Sequence, residues 1–103
     1  MISGALGSML KLMYYMLIYR TVDNYAERRA PFRTEHLSYA EAAHARGELF
    51  MGGALADPAD TAILVFKAES RATVENFARN DPYVRAGLIV EWSVRPWTVV
   101  IGG

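Results

Sequence analysis

The chain has 103 residues, enough for one compact domain with little room for a second. Its 11 basic and 11 acidic side chains cancel, so no net field draws it to nucleic acid or to a membrane surface. With no cysteine and two histidines it offers neither a disulfide framework nor a thiolate metal site, and its composition suits a reducing, cytoplasmic setting.

The first dozen residues, MISGALGSMLKL, lack the basic start and long apolar run of a signal peptide and are too short to span a bilayer. We read residues 1–12 as a dispensable extension and 13–103 as a single domain that Met13 can open directly. Tyr14 to Arg20 is a continuous aromatic and aliphatic run, which predicts a strand buried on both faces. After the polar turn TVDN, a helical region runs from Tyr25 to Arg46. Pro31 interrupts it and suits the early turn of the longer helix, and Gly47 ends it as a C-cap. ELFMGGALAD reads as a second strand, in which Gly52 and Gly53 mark a weak point, a bulge or a close backbone approach. PAD turns the chain into a third strand, TAILVFKAE. Ser70 is placed to N-cap a second helix whose Val74, Phe77 and Ala78 make one apolar stripe. The last strand starts at Leu88, with Leu88, Val90, Trp92 and Val94 on one face and Ile89, Glu91, Ser93 and Arg95 on the other. Pro96 interrupts it, and WTVVI reads as a short closing strand.

The order β-α-β-β-α-β predicts an α+β fold of ferredoxin-like type, an antiparallel sheet with both helices on one face. The first and third strands carry apolar residues on both faces, so the second face needs a cover as well. A second copy of the same sheet supplies it most simply, and a homodimer is expected.

Asp81 stands out. It follows the second helix, where the macrodipole already presents partial negative charge, and helical spacing from Val74 and Phe77 sets it beside the buried stripe. One reading is structural: Asp followed by Pro makes an N-cap and N1 pair for a short helix, PYVRAG, ended by Gly87. The other adds a functional partner, and the chain offers His36 and His44. His36 lies on the row His36, Ala40, Ala43, Gly47, a small-residue edge beside which a cavity can remain; His44 lies with Leu37 and Glu48. Either histidine also suits an ordinary helical hydrogen bond. Spacing alone does not join His36 to Asp81.

Four segments in order, YYMLIYR, RTEHLSYAEAAHARGELFMGGAL, DPYVRAGL and VRPW, resemble the YciI-like (YCII-related) family of small bacterial proteins, from about Met13 to Trp97. The resemblance implies a dimeric α/β-barrel arrangement of ferredoxin-like domains. It also implies a paired catalytic centre made of the histidine of Arg-x-x-His-Leu and the aspartate of Asp-Pro-Tyr, here His36 and Asp81. GGAL stands where the family often has Gly-Pro-Leu, so Ala54 departs from the pattern at the pocket's edge.

In such a pair Asp81 takes the Nδ1 proton of His36 and leaves Nε2 as a general base. Arg33, one turn earlier, is a candidate for holding an anionic substrate group, or else a solvated helix charge. Tyr83 either lines the pocket or packs. Ser93 and Arg95 are candidate wall residues, on the face where two sheets of a dimer meet, or interface ion-pair residues. The expected activity is acid-base chemistry of lyase or isomerase type on a small cyclic oxygenated or halogenated compound, with no cofactor or metal; the alternative is a non-catalytic small-ligand-binding or interaction module. No phosphate loop, serine elbow or metal-ligand cluster points to another chemistry.

Overall fold

In the computed structural model, which describes residues 11–103, the apolar run after Leu12 forms strand β1 (Met13–Thr21). The helical region divides at its proline into a short α1 (Tyr25–Arg28), a 3-10 turn (Ala30–Phe32) with Pro31 in its first turn, and the long α2 (Arg33–Ala45). Gly47, at φ 84°, ends α2, and the N–H of Glu48 reaches back to the carbonyl of Ala43. This left-handed stop turns the chain directly into β2 (Leu49–Ala54), which lies against α2. There follow β3 (Thr61–Ala68), α3 (Arg71–Asn80), the single turn α4 (Pro82–Arg85) and β4 (Ile89–Trp97). Ser70 occupies the N-cap of α3 with extended backbone, but its side chain makes no capping bond.

All strand pairs are antiparallel, in the order β2-β3-β1-β4. The two most apolar strands therefore sit in the middle. Alternation along β1 sends Tyr15, Leu17 and Tyr19 to the helix side, where they meet Leu64 and Phe66 of β3 and the Val74, Phe77 and Ala78 stripe of α3. Phe66 meets Phe77 edge-on at 4.9 Å between centroids. Burying side chains of this kind contributes about 1.5–3 kcal/mol each.

The last strand differs from its sequence reading in two ways. The register slips where Thr21 meets Ile89, so Val90 is left over and exposed, while Leu88 drops into a second cluster with Tyr25 and Tyr83. Trp92 and Val94 keep the helix side as expected, and Ile89 joins them there instead of facing away with Ser93. Pro96 does not break the strand. It pairs opposite Tyr15 on the edge of the sheet, where a residue without an N–H is tolerated, and the strand runs on to Trp97. No separate closing strand forms over residues 98–101.

The face away from the helices carries Met16, Ile18, Ile63 and Val65 at its centre, flanked by the exposed Met51 and Trp97. Of the proposed extension, residues 1–10 lie outside the described residues, and Lys11 and Leu12 are exposed ahead of β1. Among the described residues no helix is long and apolar enough to cross a membrane. A chain begun at Met13 is expected to keep the thermal midpoint of the full chain. A fall of about 5 °C or more, which corresponds to roughly 1 kcal/mol in a domain of this size, would make the extension structural.

Candidate active site

The site begins with a helix that cannot continue. Pro82 bars the α region to the residue before it, so α3 stops at Asn80 and Asp81 takes extended backbone (φ −65°, ψ 126°). Asp81 is at once the end of α3 and the N-cap of α4: its Oδ1 accepts the backbone N–H of Tyr83 at 2.9 Å. Gly87, at φ 78°, closes the short turn. The capping reading of Asp-Pro is therefore right.

The same carboxyl has two further partners. His36 Nδ1 lies 2.8 Å from Oδ1, 45 positions away in sequence, and Tyr19 donates its hydroxyl to Oδ2 at 2.6 Å. Asp81 is completely buried, so a hydrogen-bonded set of this kind is what makes its burial tolerable. With a carboxyl as acceptor, the ring proton of His36 is assigned to Nδ1. Nε2 then carries the lone pair. It has no partner among the described residues and is not sealed from solvent.

His36 also lies flat on Tyr83, the rings 3.7 Å apart and 6° from parallel. Carboxyl on one side and phenol ring on another leave the imidazole little freedom. The ring edges a cavity of about 320 Å³, roomy enough for a small cyclic molecule. The cavity exists because the residues between α2 and the sheet are small: Ala40 above, and Gly52, Ala54 and Ala62 below. At Gly52 an added Cβ would come within 3.1 Å of Leu64 Cγ, so the close approach read from the glycine pair is real there. The bulge falls earlier, between Leu49 and Met51.

Arg33 and Tyr83 line this cavity, as does His36. Ser93 and Arg95 do not. They pair with Ile18 and Met16 and share the helix-free face, with the sheet between them and His36. As wall residues of this cavity they are therefore corrected: strict alternation fixed their face, and the cavity opens on the opposite one. His44 is structural, its Nδ1 donating to the carbonyl of Leu49 at 2.8 Å and tying the end of α2 to β2.

Sequence reasoning missed Tyr19, Tyr25 and Arg29, all of which line the cavity. Tyr19 had a legible signal. It follows Tyr15 and Leu17 on one face of a buried strand, and a tyrosine at such a position needs a partner for its hydroxyl. Burial, and after it the neighbouring Asp81 charge and hydrogen bond, raise the pKa of that hydroxyl far above the ordinary tyrosine range. Burial likewise raises Tyr25, Tyr39 and Tyr83.

The model of the YCII-related domain matches residues 13–98. An uncharacterised protein of Haemophilus influenzae is 27% identical, over 85% of this chain and 99% of its own. Among solved structures, the fold is similar to that of 5-chloro-2-hydroxyhydroquinone dehydrochlorinase (TftG) from Burkholderia phenoliruptrix, determined in complex with 2,5-dihydroxybenzoquinone. The TM-score is 0.71 at 24% identity, over 84% of this chain and 94% of that one. PA3566 from Pseudomonas aeruginosa superposes with a TM-score of 0.58 at 9% identity, over 90% of this chain and 98% of that one. At these identities the two structures support the fold alone.

Tyr19→Phe keeps the ring but leaves Oδ2 of a buried carboxyl without its donor, a loss of about 1–3 kcal/mol in denaturant unfolding at neutral pH. The same variant should change the alkaline limb. Because the folded pKa of Tyr19 is raised, its contribution is complete below about pH 10, the unfolded value, and is lost as pH rises beyond it. Removing the hydroxyl should make the fall in stability above about pH 10 shallower by up to about 1.4 kcal/mol per pH unit. An unchanged alkaline slope would mean that Tyr19 ionises in the folded protein much as it does in the unfolded chain.

Proposed function

The chain belongs to the YCII-related domain family, and from that membership and the His36–Asp81 geometry we propose that it is a cofactor-free acid-base enzyme of lyase or isomerase type. The observation that carries the reading is the 2.8 Å contact from His36 Nδ1 to the buried Asp81, with Nε2 left unpartnered beside a cavity. A base needs a free lone pair, a fixed direction and a counter-charge for the cation it becomes. These residues supply all three.

In the proposed reaction Nε2 removes a proton from a substrate carbon. The bonding pair moves into the ring or chain of the substrate. In a lyase it expels halide, the Nε2 proton then passing to solvent, or it expels hydroxide, which takes the Nε2 proton and leaves as water; in an isomerase the proton returns from Nε2 to a second carbon. The imidazolium between these steps is stabilised by the Asp81 carboxylate and by the face of Tyr83. A small cyclic oxygenated or halogenated substrate fits the cavity volume, and the fold shared with a dehydrochlorinase complexed with a dihydroxyquinone supports that class. From the lack of cysteine in the sequence we also propose a reducing, cytoplasmic setting.

We also read the working unit as a homodimer. Met16, Ile18, Ile63 and Val65 have no helix over them, and a second sheet is the cover that matches their flat, apolar face. Ser93 and Arg95 then belong to the sheet-to-sheet interface. Sedimentation at micromolar concentration should give twice the chain mass; a stable monomer would remove this part of the reading.

2,5-Dihydroxybenzoquinone and halogenated hydroquinones are the first compounds to screen. On whichever is turned over, His36→Gln should abolish activity while the fold persists. Asp81→Asn is the sharper variant. An amide oxygen at the Oδ1 position can still accept from His36 and Tyr83, and its NH₂ can donate to a reversed Tyr19 hydroxyl, so capping and stability should nearly survive. What disappears is the charge that steadies the imidazolium, and activity should fall by about 10²-fold or more. The double variant should cost little beyond the worse single one. A wild-type rate in Asp81→Asn would return Asp81 to capping alone and favour a ligand-binding module.

A further inference from the structure

Tyr83 Oη is the one buried side-chain polar atom among the described residues that lacks a hydrogen-bond partner. Leaving such a hydroxyl unpaired is unfavourable, and a phenylalanine would occupy the same space without that cost. Nor is the hydroxyl free to seek a partner elsewhere. Its ring is held flat against His36 at 3.7 Å and edge-on against Tyr25 at 5.8 Å, and the residue is 2% exposed. Tyr83 lines the same cavity as His36.

Two arginines share that cavity. Arg29 lies over the Tyr25 ring, 5.1 Å from its centroid. Arg33 comes near enough to Tyr83 to oppose the rise in its pKa, yet forms no hydrogen bond of ordinary geometry with Oη. The ion pairs among the described residues, Arg20–Glu91, Arg46–Glu48 and His36–Asp81, leave both arginines out. No aspartate or glutamate lines the cavity. A chain of zero net charge thus gathers two guanidinium groups and one buried, unpartnered hydroxyl in a single pocket. Among the described residues that line it, no carboxylate answers these donors.

The geometry points to an anion subsite in which Tyr83 Oη and Arg33, backed by the charge of Arg29, hold an ionised oxygen of a small planar substrate next to His36. The inference rests on the acid-base reading and narrows its substrate class to ring compounds bearing a carboxylate or an acidic enol or phenol; neutral ethers and amides are disfavoured. It also gives the reaction a place for charge. When His36 takes a carbon-bound proton, negative charge moves onto the neighbouring oxygen, and donors beside that oxygen stabilise it. The planar guanidinium of Arg33 suits a carboxylate or a pair of ring oxygens better than a point charge would.

Benzoate and benzamide, equal in shape and unlike in charge, are the probes, with binding to the full chain measured by titration calorimetry. Benzoate should bind at least about tenfold more tightly, by a margin that shrinks with added salt. Tyr83→Phe should lower benzoate affinity about tenfold, leave benzamide nearly unchanged, and hold or raise the thermal midpoint, since the lost hydroxyl had no protein partner. Arg33→Gln should weaken benzoate alone. Equal affinity for the two probes, or no benzoate binding into the millimolar range, overturns the subsite. So does a Tyr83→Phe variant of lowered stability that keeps the full benzoate preference. His36→Gln should retain that preference, which separates the two readings. A benzoate preference in a protein that turns nothing over sinks the acid-base reading and spares the subsite; His36-dependent turnover with benzoate and benzamide bound alike does the reverse.

Discussion

One buried carboxyl joins this molecule together. Asp81 receives Tyr19 from the central strand β1, His36 from α2 and the backbone of Tyr83 from α4, so three elements far apart in sequence meet on two oxygen atoms. Three donors satisfy the buried carboxyl unequally: Oδ2 depends on Tyr19 alone, whereas Oδ1 keeps one donor when the other is lost. The position of His36 relative to the sheet follows from this arrangement more than from packing of α2, whose buried side of the helix is confined to Ala43. A thin contact between helix and sheet is the reason a cavity survives there.

Stability and function are therefore coupled at Asp81 in a specific way. The bond to Tyr83 N–H is a helix cap, needed for the turn whatever the protein does. The bond to His36 sets a tautomer and supplies a charge, neither of which the fold needs. Tyr19 stands between the two: it completes the carboxyl's hydrogen bonds from inside the core while its ring also lines the cavity. On the proposed acid-base reading, substitutions at the three positions separate, with the tyrosine acting mainly on stability and the histidine mainly on turnover.

Much of the fold was legible because hydrophobic period and turn chemistry agreed. The run after Leu12, the Val74, Phe77 and Ala78 stripe, and the left-handed glycines 47 and 87 each acted locally, and each appears where the pattern put it. Both ends of β4 depart from the sequence reading for reasons that single-strand logic cannot see: whether Pro96 breaks a strand depends on whether that strand lies at an edge, and the register shift opposite Thr21 resets alternation where the strand begins. Asp81 as a cap was readable from Asp-Pro alone. Its link to His36 was not, because 45 positions separate them and no periodicity spans that interval; family resemblance suggested the link and the packing of α2 on α4 makes it. Tyr19 and Arg29 escaped because a tyrosine in an apolar strand reads as core and an arginine on a short helix reads as solvated charge until the cavity they share is known.

The sheet separates two tasks by face, which explains why Ser93 and Arg95 could not serve both. On a strand, successive residues point to opposite sides, so β1 offers Tyr15, Leu17 and Tyr19 to the helices and Met16 and Ile18 to the bare face. The cavity lies on the first because there, among the described residues, a helix brings polar side chains across small ones, closing a space without filling it. The bare face has no such frame. Its apolar centre, flanked by Glu91, Ser93 and Arg95 of β4, has the layout of a surface that meets another surface: apolar in the middle and polar at one edge. A substitution on that face therefore leaves the cavity untouched, whereas one at Gly52 or Ala62, on the other side of the same sheet, acts on the cavity's volume.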